Sequence, residues 1–328
     1  DNNMKYIETK STDSYYNFAL ADYAFEQLDP SENYICLMQN DNTVGLGRYQ
    51  NTSAEINEEY VREHNVKVVR RPSGGGAVYG DLGNLNFLFF ADAQYGMSKV
   101  GFERFTKPVV DALAKLGVRA ELTGRNDLTV DGKKISGNSQ YNMNGRTAHH
   151  GTLLFSSNLS VISEVLKPST EKLETNGAKS LKSRVANICE YTSATMDDLK
   201  AALLESLFPN GVEKLTLTPT QLAEIKKLRD KKYALREWNY GSLPPYTMRI
   251  EKRFSLGGLE ILLDVNDNII QNARIFGDFF GVPDISDAEN AISGFAPTVD
   301  GISDALANIN IGDYIYGLEN EQFIDLFR

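Results

Sequence analysis

The run Arg70-Arg71-Pro72-Ser73-Gly74-Gly75-Gly76-Ala77-Val78-Tyr79 concentrates more usable chemistry than any other stretch of the chain. Two arginines bring permanent positive charge. Three successive glycines bare backbone N–H groups and let an anion approach with no Cβ in the way. Apolar runs flank the segment, Val66 to Val69 before it and Leu85 to Phe90 after it. A basic, bare loop held between two strands is suited to a nucleotide phosphate or another anion.

Three further polar clusters accompany it: Gly45–Asn51, Asn126–Gly137 and His149–Thr152. In Asp131-Gly132-Lys133-Lys134-Ile135-Ser136-Gly137 two lysines follow a hairpin signal. On a strand they face opposite sides, so one reaches a pocket while the other stays in water. A lysine aimed inward beside a phosphate loop stabilises negative charge developing at an acyl or phosphoryl centre; the other reading is two surface lysines beside a turn. His149-His150-Gly151-Thr152 admits a neutral core histidine as well as a catalytic one. Asn126-Asp127 admits a Mg²⁺ ligand or a hydrogen-bonded turn.

Several common motifs are absent. The dinucleotide fingerprint fails at Gly45-Leu46-Gly47, where Gln50 takes the last glycine position. The phosphate loop G-x-x-x-x-G-K-[ST] fails at Gly132-Lys133, with Asp127 in place of its first glycine. The nucleophile elbow fails at Gly137-Asn138-Ser139, which runs on to Tyr141. His64, His149 and His150 with two cysteines make no zinc set.

The elements that must position these groups can be read from pattern. A helix is expected over 13–28, ended by Asp29-Pro30, and strands over Tyr34–Met38, Val66–Val69 and Leu85–Phe90. Helices are expected over 53–64 and from Phe102 to Leu116, the latter stopped by Gly117. Short strands follow at Asp127–Val130, Lys134–Ser136 and His150–Phe155, then a helix from an N-cap at Thr195 to about Leu207. Residues 167–184 are polar and lysine-rich, a surface loop or a lid over an anionic ligand. A charged helix over Pro219–Trp238 precedes a linker-like Gly241-Ser-Leu-Pro-Pro-Tyr246. Strands Thr247–Phe254, Gly258–Val265 and Ile269–Phe276 and helices over 286–293 and 300–308 complete the chain, with no catalytic-looking constellation at this end.

A length of 328 residues favours two domains. Composition is that of a soluble protein, 41% hydrophobic and 24% charged. A net charge of −10 argues against a general nucleic-acid binder but leaves room for a local basic pocket. Cys36 and Cys189 each follow an isoleucine and read as buried small hydrophobes. No run approaches a membrane span, and the first residues lack a signal-peptide core, with Met4 reading as a native start. A cytoplasmic monomer is expected.

Taken together and in order, Gly47-Arg48-Tyr49-Gln50-Asn51, the Arg70–Tyr79 run, Gly83-Asn84-Leu85-Asn86-Phe87, Asn126-Asp127-Leu128, Asp131–Gly137, His149-His150-Gly151-Thr152-Leu153-Leu154 and Ser180-Leu181-Lys182-Ser183-Arg184-Val185-Ala186-Asn187 resemble the lipoate–protein ligase A family. The resemblance implies an α/β (α+β) catalytic fold of the biotin/lipoate ligase type, related to class II aminoacyl-tRNA synthetases, over 1–245, and a small α/β accessory domain over 246–328. It implies ATP-dependent activation of lipoate to lipoyl-AMP, then transfer to a lysine on lipoyl domains of 2-oxoacid dehydrogenase E2 subunits or on the glycine-cleavage H protein.

By the same resemblance Lys134 is the essential lysine, binding both lipoate and ATP. Arg71 contacts ATP, and Gly76, Ala77, Val78 and Tyr79 shape the nucleotide site. Ser73, Gly74, Gly75 and His149 lie along the lipoyl chain, Asp127 holds Mg²⁺, and the 169–184 loop closes over the adenylate. An apolar slot for the tail contributes ~0.8 kcal/mol per buried CH₂, too little to separate lipoate sharply from octanoate. Three rivals are an acyl-carrier-dependent octanoyl or lipoyl transferase with a cysteine nucleophile, a biotin ligase, and a catalytically silent lipoate or lipoyl-domain binder. Cys189 matches no such nucleophile, a biotin ligase's Gly-Arg-Gly-Arg-type loop is replaced here, and ATP–pyrophosphate exchange separates a ligase from a binder.

Overall fold

The computed structural model describes residues 4–94, 98–124, 126–167, 184–282 and 284–328. In chain order the strands of its first part are β1 (Met4–Glu8), β2 (Asn33–Met38), β3 (Thr43–Leu46), β4 (Lys67–Arg70), β5 (Val78–Gly80), β6 (Asn84–Asp92), β7 (Glu121–Thr123), β8 (Asp127–Val130), β9 (Lys133–Met143) and β10 (Arg146–Leu154). Seven form one sheet in the order β1-β2-β6-β10-β9-β8-β7, parallel between β1 and β2 and antiparallel elsewhere. The other three form a small sheet, β4-β3-β5.

Strand β6 explains how the large sheet is held. Phe87 and Phe89 pack with Phe105, Val109 and Leu113 of helix Lys99–Lys115 and with Leu199 and Leu203 of helix Met196–Leu207. Leu88 and Phe90 point the other way, to Leu20 and Phe25 of helix Ser14–Gln27 and to Tyr233. A strand buried on both faces reads as a continuous apolar run, and each such side chain contributes roughly 1.5–3 kcal/mol. The first face carries the α-helical back of the sheet. The second faces the small sheet and leaves a cleft between them.

Local chemistry sets most boundaries. Asp13 caps helix Ser14–Gln27, accepting from Tyr15 N. Gly117, at φ +81°, follows the Lys99–Lys115 helix. Asp131 (φ 49°) and Gly132 (φ 75°) make the β8–β9 turn. Thr195 caps helix Met196–Leu207 in a capping box with Asp198.

Three expectations change. The helix over 53–64 is two short ones, Thr52–Glu55 and Glu58–Glu63, because Ile56 leaves the helix to bridge Leu166. The helix over Pro219–Trp238 is an α-helix to Leu228, a π-turn Arg229–Tyr233, and a helix Arg236–Tyr240. The short strands after Asp127 include one long hairpin, β9–β10.

The C-terminal part is an antiparallel meander of β11 (Met248–Phe254), β12 (Gly257–Asn266) and β13 (Ile269–Gly277), turning between the last two at Asp267 and Asn268, both at positive φ. Helices Ser286–Ile292, Val299–Ala305 and Asn320–Ile324 pack on it around Ile261, Leu263, Ile275, Ile302 and Phe323. This core takes in one residue from the first part, Tyr49, whose ring stacks on Phe279 at 4.7 Å and whose hydroxyl donates to the Val282 carbonyl. No helix among the described residues is long and apolar enough to cross a membrane.

Candidate functional site

A cleft of about 700 Å³ opens between the two sheets, and most residues singled out in the sequence reach it. Its β9 wall depends on a β-bulge. Leu128 pairs with Ser136 but Thr129 pairs with Lys134, so Ile135 is an extra residue and Ile135 and Ser136 are both buried. The bulge resets the alternation of the strand. Lys134, Gly137 and Ser139 consequently all line the cleft. Lys134 Nζ lies 2.9 Å from Asp127 Oδ1 on β8, both side chains partly exposed. The lysine also lies against Gly137: a Cβ there would come within 3.2 Å of its Nζ and Cε.

The opposite wall is the glycine-rich loop, with Gly75, Gly76, Ala77, Val78 and Tyr79 on the cleft. Arg71 organises it from beneath. Its Nη2 donates to the carbonyls of Gly74 and Gly76, each at 2.8 Å, and its Nη1 to Gly45 at 3.3 Å. Burial, then the neighbouring Arg70 charge, pushes its pKa down to about 10. Its Nε is buried with no hydrogen-bond partner among the described residues. A buried cation facing only carbonyl dipoles leaves positive potential for an anion at the loop. Arg70 serves architecture instead: it donates to the carbonyls of Gly47, Gln50, Trp238 and Asn239 and to Thr52 Oγ1.

A narrow, mostly apolar pocket of about 50 Å³ leads off beside Arg71, lined by Phe18, Met38, Leu88, Phe90 and Tyr141 with Ser73 and His150. Ser73 Oγ meets Ser139 Oγ at 3.0 Å and so ties the glycine-rich loop to β9. Gly74 does not open towards the ligand space; a Cβ there would stand 2.2 Å from the Phe279 carbonyl oxygen.

The two histidines lie on opposite faces of β10. His149 borders the small pocket, but its ring is fully buried on the far face of the sheet. It stacks against Phe87 and Phe105 and lies between Gln140 Nε2 at 2.8 Å and Asn138 Oδ1 at 3.0 Å. A neutral ring with its proton on Nε2 satisfies both, and burial, aided by His150, pushes its pKa down to about 3. His150, next on the strand, reaches the cleft and contacts Asn86 Oδ1 at 3.1 Å from Nε2.

Other placements differ from expectation. Cys189 is exposed and does not line the cleft, whereas Cys36 is buried as expected. The lid expected over 169–184 lies, apart from Arg184, outside the described residues. Among the described residues no three His, Cys, Asp or Glu side chains gather to hold a metal. Asp127 fits a Mg²⁺ ion delivered on nucleotide phosphates, which needs only one or two protein carboxylates.

Sequence reasoning quoted Asn86 and His150 within larger motifs but assigned no site role to them or to Ser139; polar side chains on inward-facing strands were the available signal. It also missed the C-terminal contribution. Arg253 and Asp278 line the same cleft as Lys134. Cations from Arg71, Lys134, Lys167, Arg184 and Arg253 exceed the carboxylates of Glu55, Asp127 and Asp278 there, in a chain whose net charge is −10.

Comparison with known proteins adds to this geometry. Residues 13–208 match the family described as the lipoyl protein ligase A/B catalytic domain, and residues 243–327 match the bacterial lipoate protein ligase C-terminus. The chain is 40% identical over 330 residues to the lipoate-protein ligase LplJ of Bacillus subtilis, covering 98% of this chain and 99% of that one. It is 40% identical over 327 residues to lipoate–protein ligase 1 of Staphylococcus aureus, with the same shares. Among solved structures, P. falciparum LipL1 in complex with lipoate shares the fold at a TM-score of 0.79 and 22% identity, over 98% of this chain and 97% of that one. The bi-partite lipoate protein ligase of Thermoplasma acidophilum, described with its E2 lipoyl domain, gives 0.66 and 27% over 74% of this chain and 98% of that one. A lipoate-protein ligase A bound with ATP gives 0.64 and 26% over 74% of this chain and 100% of that one.

Proposed function

Given that the chain belongs to the lipoyl protein ligase A/B family and is an ATP-dependent lipoate–protein ligase, we propose that its central cleft carries both half-reactions, with Lys134 as the catalytic residue. The observation that carries this reading is the position of Lys134, turned by the β9 bulge onto the cleft wall with the arginine-floored glycine loop opposite.

In the first half-reaction a lipoate carboxylate oxygen attacks the α-phosphorus of ATP. A C–O–P anhydride forms, and the bond to pyrophosphate breaks. The Lys134 ammonium neutralises the carboxylate and the α-phosphoryl oxygens as charge builds between them. Backbone groups of Gly76, Ala77, Val78 and Tyr79 shape the nucleotide position. Arg71 acts mainly from below, its fixed charge and its grip on Gly74 and Gly76 keeping the loop ready for an anion. Asp127 would hold the Mg²⁺ that arrives with ATP, an ion that screens phosphate charge. In the second half-reaction the acceptor lysine amine attacks the acyl carbon, and AMP leaves with the bonding pair.

The acyl tail occupies the pocket beside Ser73, with Gly75 on the adjoining cleft wall and Gly74 turned away against Phe279. His149 supports the wall from behind, and His150 takes the cleft-side position.

The acceptors are lipoyl domains of 2-oxoacid dehydrogenase E2 subunits and the glycine-cleavage H protein; the archaeal relative described with its E2 lipoyl domain supports the first class. The catalytic domain spans 1–245 and the accessory domain 246–328, and the enzyme works as a cytoplasmic monomer. Mass spectrometry of an apo lipoyl domain incubated with the protein, lipoate, ATP and Mg²⁺ tests this. A lipoyl mass gain that needs ATP and is lost in Lys134→Gln supports it; an undiminished gain with that variant removes Lys134 from the chemistry.

A further inference from the structure

We propose that Arg253, from the C-terminal meander, is a ligand for the pyrophosphate end of ATP during adenylation. The inference rests on the ligase reading and extends it to a residue outside the glycine-rich loop and β9.

Arg253 stands near the end of β11 and lines the same cleft as Lys134 and Gly76. Its guanidinium pairs with Asp278 at 3.4 and 3.5 Å, long for a charge-assisted contact, which is usually 2.7–2.9 Å. Asp278 is held elsewhere, its Oδ1 accepting from Gly258 N at 2.5 Å. The arginine also depends on Gly258, where a Cβ would stand 3.2 Å from its Nη1. A loosely paired, partly exposed guanidinium lining this cleft can exchange one carboxylate for a phosphate with little reorganisation.

The chemistry calls for such a group. Adenylation breaks the bond between the α- and β-phosphates and leaves pyrophosphate with several negative charges. Lys134 is committed to the carboxylate and α-phosphate. The Arg71 head is enclosed by the Gly45, Gly74 and Gly76 carbonyls. Lys167 Nζ donates to the Ser53 carbonyl. A planar, bidentate donor delivered from across the cleft suits a leaving phosphate better than either lysine. The same arginine has no part in the second half-reaction, because pyrophosphate is then gone.

The test separates the two halves with the full-length protein. Lipoate-dependent ATP–pyrophosphate exchange is measured for wild type, Arg253→Ala and Arg253→Lys, and lipoyl transfer is measured from synthetic lipoyl-AMP to an apo lipoyl domain. Arg253→Ala is expected to lose about 10–100-fold in exchange, with a raised KM for pyrophosphate. Transfer from lipoyl-AMP should be unchanged, and Arg253→Lys should recover part of the loss. Unchanged exchange overturns the proposal, as does an equal fall in both half-reactions. A fall in transfer alone also overturns it and assigns Arg253 to the acceptor protein. Failure of the wild type to exchange removes the ligase reading itself, a result separable from all of these.

Discussion

Lys134 and Asp127 sit on neighbouring antiparallel strands as a partly exposed ion pair, 2.9 Å apart, on the wall of the substrate cleft. A pair this exposed contributes only about 0–1 kcal/mol to stability. Losing the pair should therefore leave the fold intact, and on the reading proposed above the carboxylate would hold the ammonium in position until substrate takes it.

Lys134→Gln should accordingly fold with a melting temperature close to wild type and lose adenylation by about 100-fold or more, the scale seen when one preorganised charge stabiliser is removed. Thermal unfolding and pyrophosphate exchange measured on one preparation check this. A large drop in both would mean that the residue is structural.

Gly137→Ala adds a Cβ 3.2 Å from the Nζ and Cε of Lys134, with Thr152 Oγ1 farther away at 3.9 Å. The flexible lysine gives way more easily than the sheet, so stability should change by less than about 1 kcal/mol. Adenylation should fall while ATP binding persists. A variant with full activity would show that the lysine tolerates a second position.

Gly74→Ala tests the seam between the two parts of the chain. Its Cβ would stand 2.2 Å from the Phe279 backbone oxygen, which cannot rotate away. Overpacking of this kind costs about 1–3 kcal/mol. Urea melts should show that loss, and adenylation should weaken as well, because the glycine-rich loop moves with the Gly74 carbonyl that Arg71 holds. An unchanged urea midpoint would mean that the seam is looser than the contact implies.

His149 sets an acid limit on the fold. Its pKa is about 3 when folded and near 6.5 in an unfolded chain. Below pH 6.5 the unfolded state binds the extra proton, so stability is complete above that pH and declines as the pH falls towards 3. Between pH 6.5 and 5 the loss is on the order of 2 kcal/mol. Urea midpoints for wild type and His149→Gln should converge over this window, the wild type falling faster. Parallel lines would assign acid sensitivity to other groups.

The parts of the site legible in the sequence are those whose geometry is local. The Asp131-Gly132 turn needs two residues at positive φ, and the residue types there announce it. The glycine-rich loop is likewise a local statement of bare backbone. Strand phase was harder to read. Lys134 rather than Lys133 faces the cleft because of the bulge at Ile135, which no residue type signals. His149 and His150 look alike as letters, and only the register of β10 against β6 sends one into the phenylalanines and the other to Asn86. The β9–β10 hairpin looked shorter than it is because Asn138 and Gln140, polar residues, point inward to satisfy His149. Arg253 was invisible for a different reason: it shares a cleft with Lys134 only through docking of the C-terminal part, across more than a hundred residues of chain.

Trp238, the only tryptophan in the chain, donates its indole N–H to the Arg70 carbonyl at 2.9 Å. The Arg48 guanidinium lies 4.9 Å from its ring and the Lys232 ammonium 4.4 Å. It thus stands where helix Arg236–Tyr240 meets the strand leading into the glycine-rich loop. Indole emission responds to the charges and water around it. The protein therefore carries its own optical probe at this junction, and unlabelled enzyme excited at the red edge of protein absorption reports each rearrangement there through a single emitter.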